Sequence, residues 1–141
     1  MNNQTFAIIK PDAVKNGFTG KIIDRIIKNN FKILGLKLVN MTKSQAEGFY
    51  EVHSEKPFFS ELTKFMSSNK CVVMALKKDD AVNQWRQLIG ATNPSEAEDG
   101  TIRKDFATSL SENAVHGADS DENAVREIGF FFSSAEIIAN H

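Results

Sequence analysis

The stretch KCVVMALK, residues 70–77, decides the fold. Its residues from Cys71 to Leu76 are all apolar, and a short apolar run of this kind predicts a fully buried strand. Asp79 or Asp80 is expected to cap the helix that follows, and Gly90 is expected to end it. The apolar stripe of that helix consists of Val82, Trp85, Leu88 and Ile89.

A strand, a helix and another strand are predicted upstream. Residues 5–10, TFAIIK, form an apolar run that Pro11 stops, which leaves Lys10 at a strand end. Thr19 is expected to cap the helix, which packs over a strand within residues 31–41. The residues that carry these two patterns are Ile22, Ile23, Ile26 and Ile27 in the helix and Leu34, Leu36 and Leu38, alternating to one face, in the strand.

Two further helices form a predicted hairpin between the second and third strands. Thr42 and Gln45 have the spacing of a capping box, so a helix is expected over about 43–53. Pro57 separates it from a second helix, from Ser60 to about Ser67. Near the end of the chain, NAVHG is a candidate strand, followed by a helix that Ser120 or Asp121 caps. The segment from Gly90 to about Asn113 has no sustained period and is expected to be a long loop, either functional or disordered, and its aromatic and apolar content favours function slightly.

This order of elements predicts an α+β fold in one domain, residues 1–141. Without the hairpin and the C-terminal helix it is the ferredoxin-like βαββαβ order, an antiparallel sheet with helices on one face. Seventeen Lys and Arg against eighteen Asp and Glu give a net charge of −1, which does not favour nucleic acid or a membrane surface as partner. The sequence has neither a leader-like N-terminus nor a membrane-length apolar run, so a cytoplasmic protein is expected.

Histidine is the residue type that draws attention to chemistry. The chain has three, and His141 is the last residue, where fraying is expected, so His53 and His116 are the candidates. A neutral imidazole is a competent nucleophile when a carboxylate holds its second nitrogen, and Glu127 could serve His116 in this way. The residues alone leave open a merely structural histidine that hydrogen-bonds the backbone.

Four basic residues stand where elements or the long loop end, namely Lys10, Arg86, Arg103 and Lys104. Arginine forks match phosphate oxygens, so these residues could form a local anion site, although each could equally be a solvated surface charge. Neither a P-loop, nor a glycine-rich kinase loop, nor a zinc-ligand spacing occurs in the sequence.

Five motifs, together with Glu127, carry a resemblance to a known family. They are IIKPDAV at 8–14, FYEVHSEKPFF at 49–59, RQLIGATNP at 86–94, GTIR at 100–103 and NAVHGADS at 113–120. In this order they resemble the nucleoside diphosphate kinases over essentially the whole chain. The resemblance implies a ping-pong transfer of the γ-phosphate from a nucleoside triphosphate, typically ATP, to a nucleoside diphosphate, ribo or deoxy. The intermediate would be a pros-phosphohistidine on His116, oriented by Glu127, and Mg²⁺ would bind mainly through nucleotide phosphates and water, with no protein metal ligand identified.

The same resemblance implies a role for each remaining site residue. Lys10 and Asn113 would hold the ribose 3′-hydroxyl, with Lys10 and Tyr50 near the transferred phosphoryl group. The loop from Gly90 to Asn113 would cover the nucleotide. The phosphate-binding residues would be His53, Arg86, Thr92 and Arg103, and the residues against the base would be Phe58 and Leu110.

One position departs from the family pattern, and the oligomeric state and two alternative functions remain to be considered. Ala118 stands where the family usually has serine, so a hydroxyl that would hydrogen-bond Glu127 is missing. The short C-terminus favours a homo-tetramer over a hexamer. A ferredoxin-like module without catalysis and a nucleic-acid-binding sheet are the alternatives, and the aliphatic strands speak against the second.

Overall fold

The computed structural model describes residues 3–141; Met1 and Asn2, which begin the segment examined for a leader, lie outside that range. Its centre is a sheet of four strands in the order β2-β3-β1-β4, in which every neighbouring pair is antiparallel. The strands are β1 (Gln4–Ile9), β2 (Lys32–Val39), β3 (Cys71–Lys77) and β4 (Val115–Gly117). The buried strand predicted over 70–77 is β3, and the ferredoxin-like antiparallel fold is confirmed.

Eight α-helices are described between and after these strands. They are α1 (Pro11–Lys15), α2 (Thr19–Lys28), α3 (Lys43–Phe49), α4 (Phe59–Met66), α5 (Ala81–Ile89), α6 (Ile102–Phe106), α7 (Asp121–Phe131) and α8 (Ser134–Ala139). The helices α2 and α5 pack on one face of the sheet, as predicted for the βαββαβ core. The hairpin α3–α4 and the C-terminal helices α7 and α8 cover the opposite face, so β1 and β3 are buried on both sides.

The alternation of side chains along the central strands creates the two cores. Phe6 and Ile8 of β1 point toward the hairpin and α7, whereas Ala7 and Ile9 point toward α2 and α5. Each central strand therefore supplies apolar side chains to both cores, which explains why β3 reads as an unbroken apolar run. A sheet covered in this way presents no exposed central strands for base stacking.

The expectation that the three leucines of β2 share one face is wrong, because the strand contains a β-bulge between Ile33 and Gly35. Ile33 does pack in the same core as α2. An extra residue in one strand breaks the period of two. Leu34 is therefore buried beneath the C-terminal helices, on the face opposite α2, whereas Leu36 and Leu38 are 45% and 62% exposed.

The helix ends agree with the sequence in part. The capping box of Thr42 and Gln45 is present, and Ser120 caps α7. Thr19 is not a cap, because Phe18 occupies that position without a side-chain bond. The helix expected over 43–53 ends at Phe49 and continues only as a 3-10 turn, Glu51–His53.

The long loop is more ordered than its lack of period suggested. It contains a 3-10 turn, Pro94–Glu96, and the short helix α6, which Thr101 caps. Both are too short to produce a hydrophobic repeat. None of the helices described within residues 3–141 combines the length and apolar character needed to cross a membrane.

Candidate active site

His116 lies on the short edge strand β4, where it pairs in register with Ile8 of β1. Its Nε2 is 2.8 Å from Oε1 of Glu127, which projects from α7 and is only 8% exposed. When Nε2 carries the ring proton, it donates to this carboxylate, and Nδ1 then keeps its lone pair. Within residues 3–141, Nδ1 has no hydrogen-bond partner.

Three aromatic rings surround the imidazole. Phe6, Phe49 and Tyr50 lie edge-on to His116, with ring centroids 6.2, 5.6 and 6.1 Å away. The Tyr50 hydroxyl is buried and has no hydrogen-bond partner among the described residues, and burial raises its pKa well above the usual value. These rings confine the imidazole sterically, while Glu127 fixes its rotation.

Trp85 supports the strand from behind. Its indole Nε1 donates to the backbone carbonyl of His116 at 3.2 Å. A Cβ on Gly117 would stand 2.7 Å from the Trp85 ring, so glycine is needed there. Trp85 therefore occupies the space beside Gly117 on this side of the strand.

Lys10 and Asn113, which the resemblance assigns to the ribose 3′-hydroxyl, contact each other at the end of β1. The Lys10 ammonium donates to Oδ1 of Asn113 at 2.8 Å, and the Asn113 amide donates to the carbonyl of Thr92 at 3.3 Å. Lys10 is 8% exposed, and burial, with the nearby charge of Arg103, lowers its pKa to about 8, although Asp12 opposes the shift.

Arg103 places a second buried cation next to this pair. Its guanidinium donates to the carbonyls of Gly90, Asn113 and Val115 at 3.0, 3.4 and 2.9 Å. Burial and the charge of Arg86 lower its pKa to about 10. Neither arginine forms an ion pair with a described carboxylate, and two adjacent cations without a counter-ion are typical of an anion site.

The remaining predicted site residues lie at or near the surface, and no contact joins them to His116 within the described residues. Phe58 is exposed and stands 5.6 Å, ring to ring, from His53, and Leu110 is also exposed. Thr92 follows α5 in the loop. Lys104 is exposed on α6, whereas its neighbour Arg103 is buried.

Two surface cavities flank this centre without being lined by His116. One, of about 740 Å³, lies beside α5 and includes Arg86 and Thr101 in its lining. The other, of about 250 Å³, is lined by Asp12 and Glu112 among others. The chemistry of the side chains, rather than the depth of a cavity, therefore marks the site. No group of three or more potential metal-binding His, Cys, Asp or Glu occurs in the part of the chain that the structure describes.

The family model for nucleoside diphosphate kinase matches residues 3–137. The chain belongs to the nucleoside diphosphate kinase family. It is similar to the nucleoside diphosphate kinase of Geotalea uraniireducens (strain Rf4), with 57% identity over 135 residues that cover 96% of this chain and 98% of the relative. The corresponding protein of Helicobacter hepaticus is 58% identical over 134 residues, 95% of this chain and 98% of its own. The chain is accordingly an enzyme of this family.

Solved structures of the family share the fold. The Aquifex aeolicus nucleoside diphosphate kinase has a TM-score of 0.94 and 44% identity, covering 96% of this chain and 98% of that one. The halophilic nucleoside diphosphate kinase of Halobacterium salinarum, solved in complex with CDP, has a TM-score of 0.90 and 36% identity, with 96% and 91% covered. The ferredoxin-like assignment therefore stands on the sheet topology and on these neighbours together.

Two residues that shape the site, Asp12 and Trp85, have no role predicted from the sequence. Asp12 is buried beside Lys10, where Oδ2 accepts a hydrogen bond from the Ala114 amide at 3.1 Å. Trp85 looked like an ordinary core residue of a helical stripe. The sequence did carry a signal for Asp12. A carboxylate so close to the end of a buried apolar strand is unusual unless it has a polar partner.

Ala118 is buried against Val82 and Ala124. A small apolar contact takes the place of the hydroxyl that the family usually has. The His116–Glu127 contact of 2.8 Å is present without it.

Proposed function

We propose that this protein is a nucleoside diphosphate kinase that works through a phosphohistidine on His116. The observation that carries the proposal is the single hydrogen bond of the imidazole, in which Nε2 pairs with Glu127 and Nδ1 has no partner among the described residues. Two buried cations, Lys10 and Arg103, lie beyond the end of β1, and their positive charge suits an incoming phosphate. The family membership supports the same reaction.

The first half-reaction is a displacement at phosphorus. The Nδ1 lone pair attacks the γ-phosphorus of the nucleoside triphosphate, an N–P bond forms, and the bond from phosphorus to the β,γ-bridging oxygen breaks. The electron pair leaves with the nucleoside diphosphate. In the second half-reaction, a terminal oxygen of another nucleoside diphosphate attacks the same phosphorus, and Nδ1 recovers its lone pair. The proton stays on Nε2 throughout and is donated to the Glu127 carboxylate, whose negative charge stabilises the charged imidazole.

The cations supply the positive charge that the transition state needs. Phosphoryl transfer spreads negative charge over the equatorial oxygens, and fixed guanidinium and ammonium groups stabilise it without reorganisation. We assign this work to Arg86, Arg103 and Lys10. Lys10 and Asn113 would also hold the ribose 3′-hydroxyl, and His53, Thr92 and Tyr50 would complete the phosphate pocket.

The base would lie between exposed apolar side chains. Phe58 and Leu110 are 46% and 60% exposed, so neither is committed to the core. Apolar contact does not read the hydrogen-bonding edge of a base, so purine and pyrimidine nucleotides, ribo or deoxy, should all serve. ATP is the expected donor.

Mg²⁺ fits this site as a companion of the nucleotide rather than as a resident ion. Magnesium usually keeps several waters and binds through substrate phosphates, and it would neutralise their charge. The exposed carboxylate nearest to His116 in sequence, Asp119, already accepts a hydrogen bond from Asn123. We therefore assign no protein side chain as a direct metal ligand.

The test is phosphoenzyme formation and discharge. The purified protein is incubated with ATP labelled at the γ-position, and label should appear on the chain in an acid-labile, alkali-stable form. Adding an unlabelled deoxynucleoside diphosphate should remove the label and produce the labelled triphosphate. His141→Ala should retain both steps and His116→Ala should lose them. Label that persists in His116→Ala, or that cannot be discharged, would contradict the proposal.

We propose further that the chain is one catalytic domain that assembles into a homo-oligomer through the edge of β2. This edge strand and the neighbouring helix α2 expose Leu36, Leu38 and Ile27, apolar side chains that a second copy would cover. Leu38→Glu should reduce the mass measured by native mass spectrometry, whereas Lys32→Glu at the start of the same strand should not. The tetramer and the cytoplasmic location stay predictions.

A further inference from the structure

The turn before His116 has an unusual backbone. Ala114 has a φ of +72°, and the amide of Val115 donates to the carbonyl of Asn113 at 2.8 Å. A hydrogen bond from residue i+2 to residue i around a positive φ is a γ-turn of the strained kind. An L-residue with a Cβ pays for this conformation, so neighbouring contacts must hold it in place.

This turn positions residues on both sides of it that belong to the site. On one side it presents the Asn113 side chain to the Lys10 ammonium, and on the other it leads directly into β4 and His116. A change in the backbone at Ala114 would therefore move the ribose and phosphate contacts relative to the nucleophile.

One short segment holds the turn from both sides. The amide of Lys10 donates to the Ala114 carbonyl at 2.8 Å, and Oδ2 of Asp12 accepts from the Ala114 amide at 3.1 Å. Asp12 is 5% exposed, and its other oxygen, Oδ1, is buried with no hydrogen-bond partner within residues 3–141. Pro11, between the two holding residues, fixes its own φ and so limits how this segment can shift. Burying a carboxylate with a single hydrogen bond destabilises the fold. The one hydrogen bond of the Asp12 carboxylate goes to the Ala114 amide, which indicates that holding this amide is its role.

We propose that Asp12 is a positioning residue for phosphoryl transfer, because its carboxylate clamps the Ala114 γ-turn and thereby sets Asn113 and Lys10 against His116. The inference rests on the proposed function and deepens it. Asp12 touches no reacting atom in this account and acts only through the turn. The competing explanation is that Asp12 serves merely as a counter-charge for Lys10.

The test compares variants that separate the hydrogen bond from the charge. Asp12→Ala removes both, whereas Asp12→Asn keeps an oxygen that accepts from the Ala114 amide. The double variant Asp12→Ala with Ala114→Gly removes the need for a clamp, because glycine adopts positive φ at little cost. Asp12→Ala with Asn30→Gly is the matched control, since Asn30 also has a positive φ, +67°, but lies at the end of α2.

Three readouts are measured on each variant: KM and kcat for the nucleotide, the stoichiometry of label on His116 at saturating ATP, and Trp85 fluorescence. Trp85 is the one tryptophan and bonds the His116 carbonyl, so its emission reports on β4. We expect Asp12→Ala to raise KM about tenfold and to shift the emission, with the labelling stoichiometry unchanged, because the nucleophile itself is intact. Asp12→Asn should stay within about threefold of the wild type, and Ala114→Gly should return the double variant to that range. The Asn30→Gly control should not.

Failure of either comparison contradicts the clamp. If Asp12→Asn is as impaired as Asp12→Ala, the charge matters rather than the hydrogen bond. If Ala114→Gly fails to rescue, or if Asn30→Gly rescues equally, the turn is not what Asp12 holds. Should Asp12→Ala fail to fold, recovery of folding by Ala114→Gly supports the clamp and its absence contradicts it. A wild-type chain that takes no label would instead contradict the proposed function, and the Trp85 emission would still test the clamp.

Discussion

The histidine side of the site (His116, Glu127, Phe6, Phe49 and Tyr50) is held by aromatic rings and one carboxylate. On the cation side (Lys10, Arg86, Arg103 and Asn113), Lys10 donates to a side-chain amide and Arg103 donates to backbone carbonyls. The histidine side fixes one nitrogen atom in direction. The cation side buries positive charge, and burial lowers the pKa of Lys10 and of Arg103. The cation side therefore gains electrostatic stabilisation when an anion arrives.

Of the variants compared across the two sides, Arg103→Ala should have the largest effect. Arg103 supplies charge for phosphate binding and also holds the backbone of the loop by hydrogen bonds. Arg103→Ala leaves the carbonyls of Gly90, Asn113 and Val115 without their donor. We expect kcat/KM to fall about 1,000-fold and the free energy of unfolding to fall by about 3 kcal/mol, measured by steady-state kinetics and urea denaturation. Arg103→Lys keeps the charge and should recover part of the activity but little of the stability. Equal recovery of both would mean that the fork geometry is unimportant.

On the histidine side, Glu127→Gln removes charge but keeps an oxygen that accepts from Nε2. The ring should hold its orientation and lose the stabilisation of the imidazolium that forms during transfer. We expect the rate of phosphoenzyme formation, measured by rapid quench, to fall about 10- to 100-fold with little change in KM. A rise in KM without loss of rate would place Glu127 functionally on the cation side and break the comparison.

Lys10 makes activity and stability respond to pH in opposite directions. Folding lowers its pKa from 10.5 to about 8, so charged Lys10 costs stability below that pH, and the cost is relieved as pH rises from about 8 toward 10.5. The same deprotonation removes a phosphate-binding charge. We expect KM for the nucleotide to rise about tenfold between pH 7 and 9. Lys10→Met should have a high KM throughout and no such step; a step of the same size in that variant would assign the titration to another group.

Ala118→Ser should have the smallest effect. The His116–Glu127 contact is formed without the hydroxyl, and one added hydrogen bond typically changes stability by about 1 kcal/mol. We expect turnover within about threefold of the wild type and a small shift in melting temperature. A large loss of activity would show that the packing of Ala118 against Val82 and Ala124 matters more than the missing hydrogen bond.

The sequence predicted the sheet and the core helices because the apolar run of β3 and the helical period of α5 are evident in it. It failed at β2, where one bulged residue puts Leu34 on the opposite face from Leu36 and Leu38, and at α6, which is shorter than the repeat that would reveal it. The sequence motifs identified the predicted site residues as a set. They did not reveal that Asp12 holds Ala114, since a γ-turn with alanine at its centre leaves no mark in composition or spacing.

The position of the phosphate on the ring tests the central claim most directly. The phosphorylated protein, made with ATP and kept at alkaline pH, is examined by proton–phosphorus correlation NMR, which distinguishes the two ring nitrogens by the imidazole protons that couple to phosphorus. Because Glu127 holds Nε2 of His116, the phosphate should be found on Nδ1, the pros position. A phosphate on Nε2, or on any residue other than His116, would contradict the account.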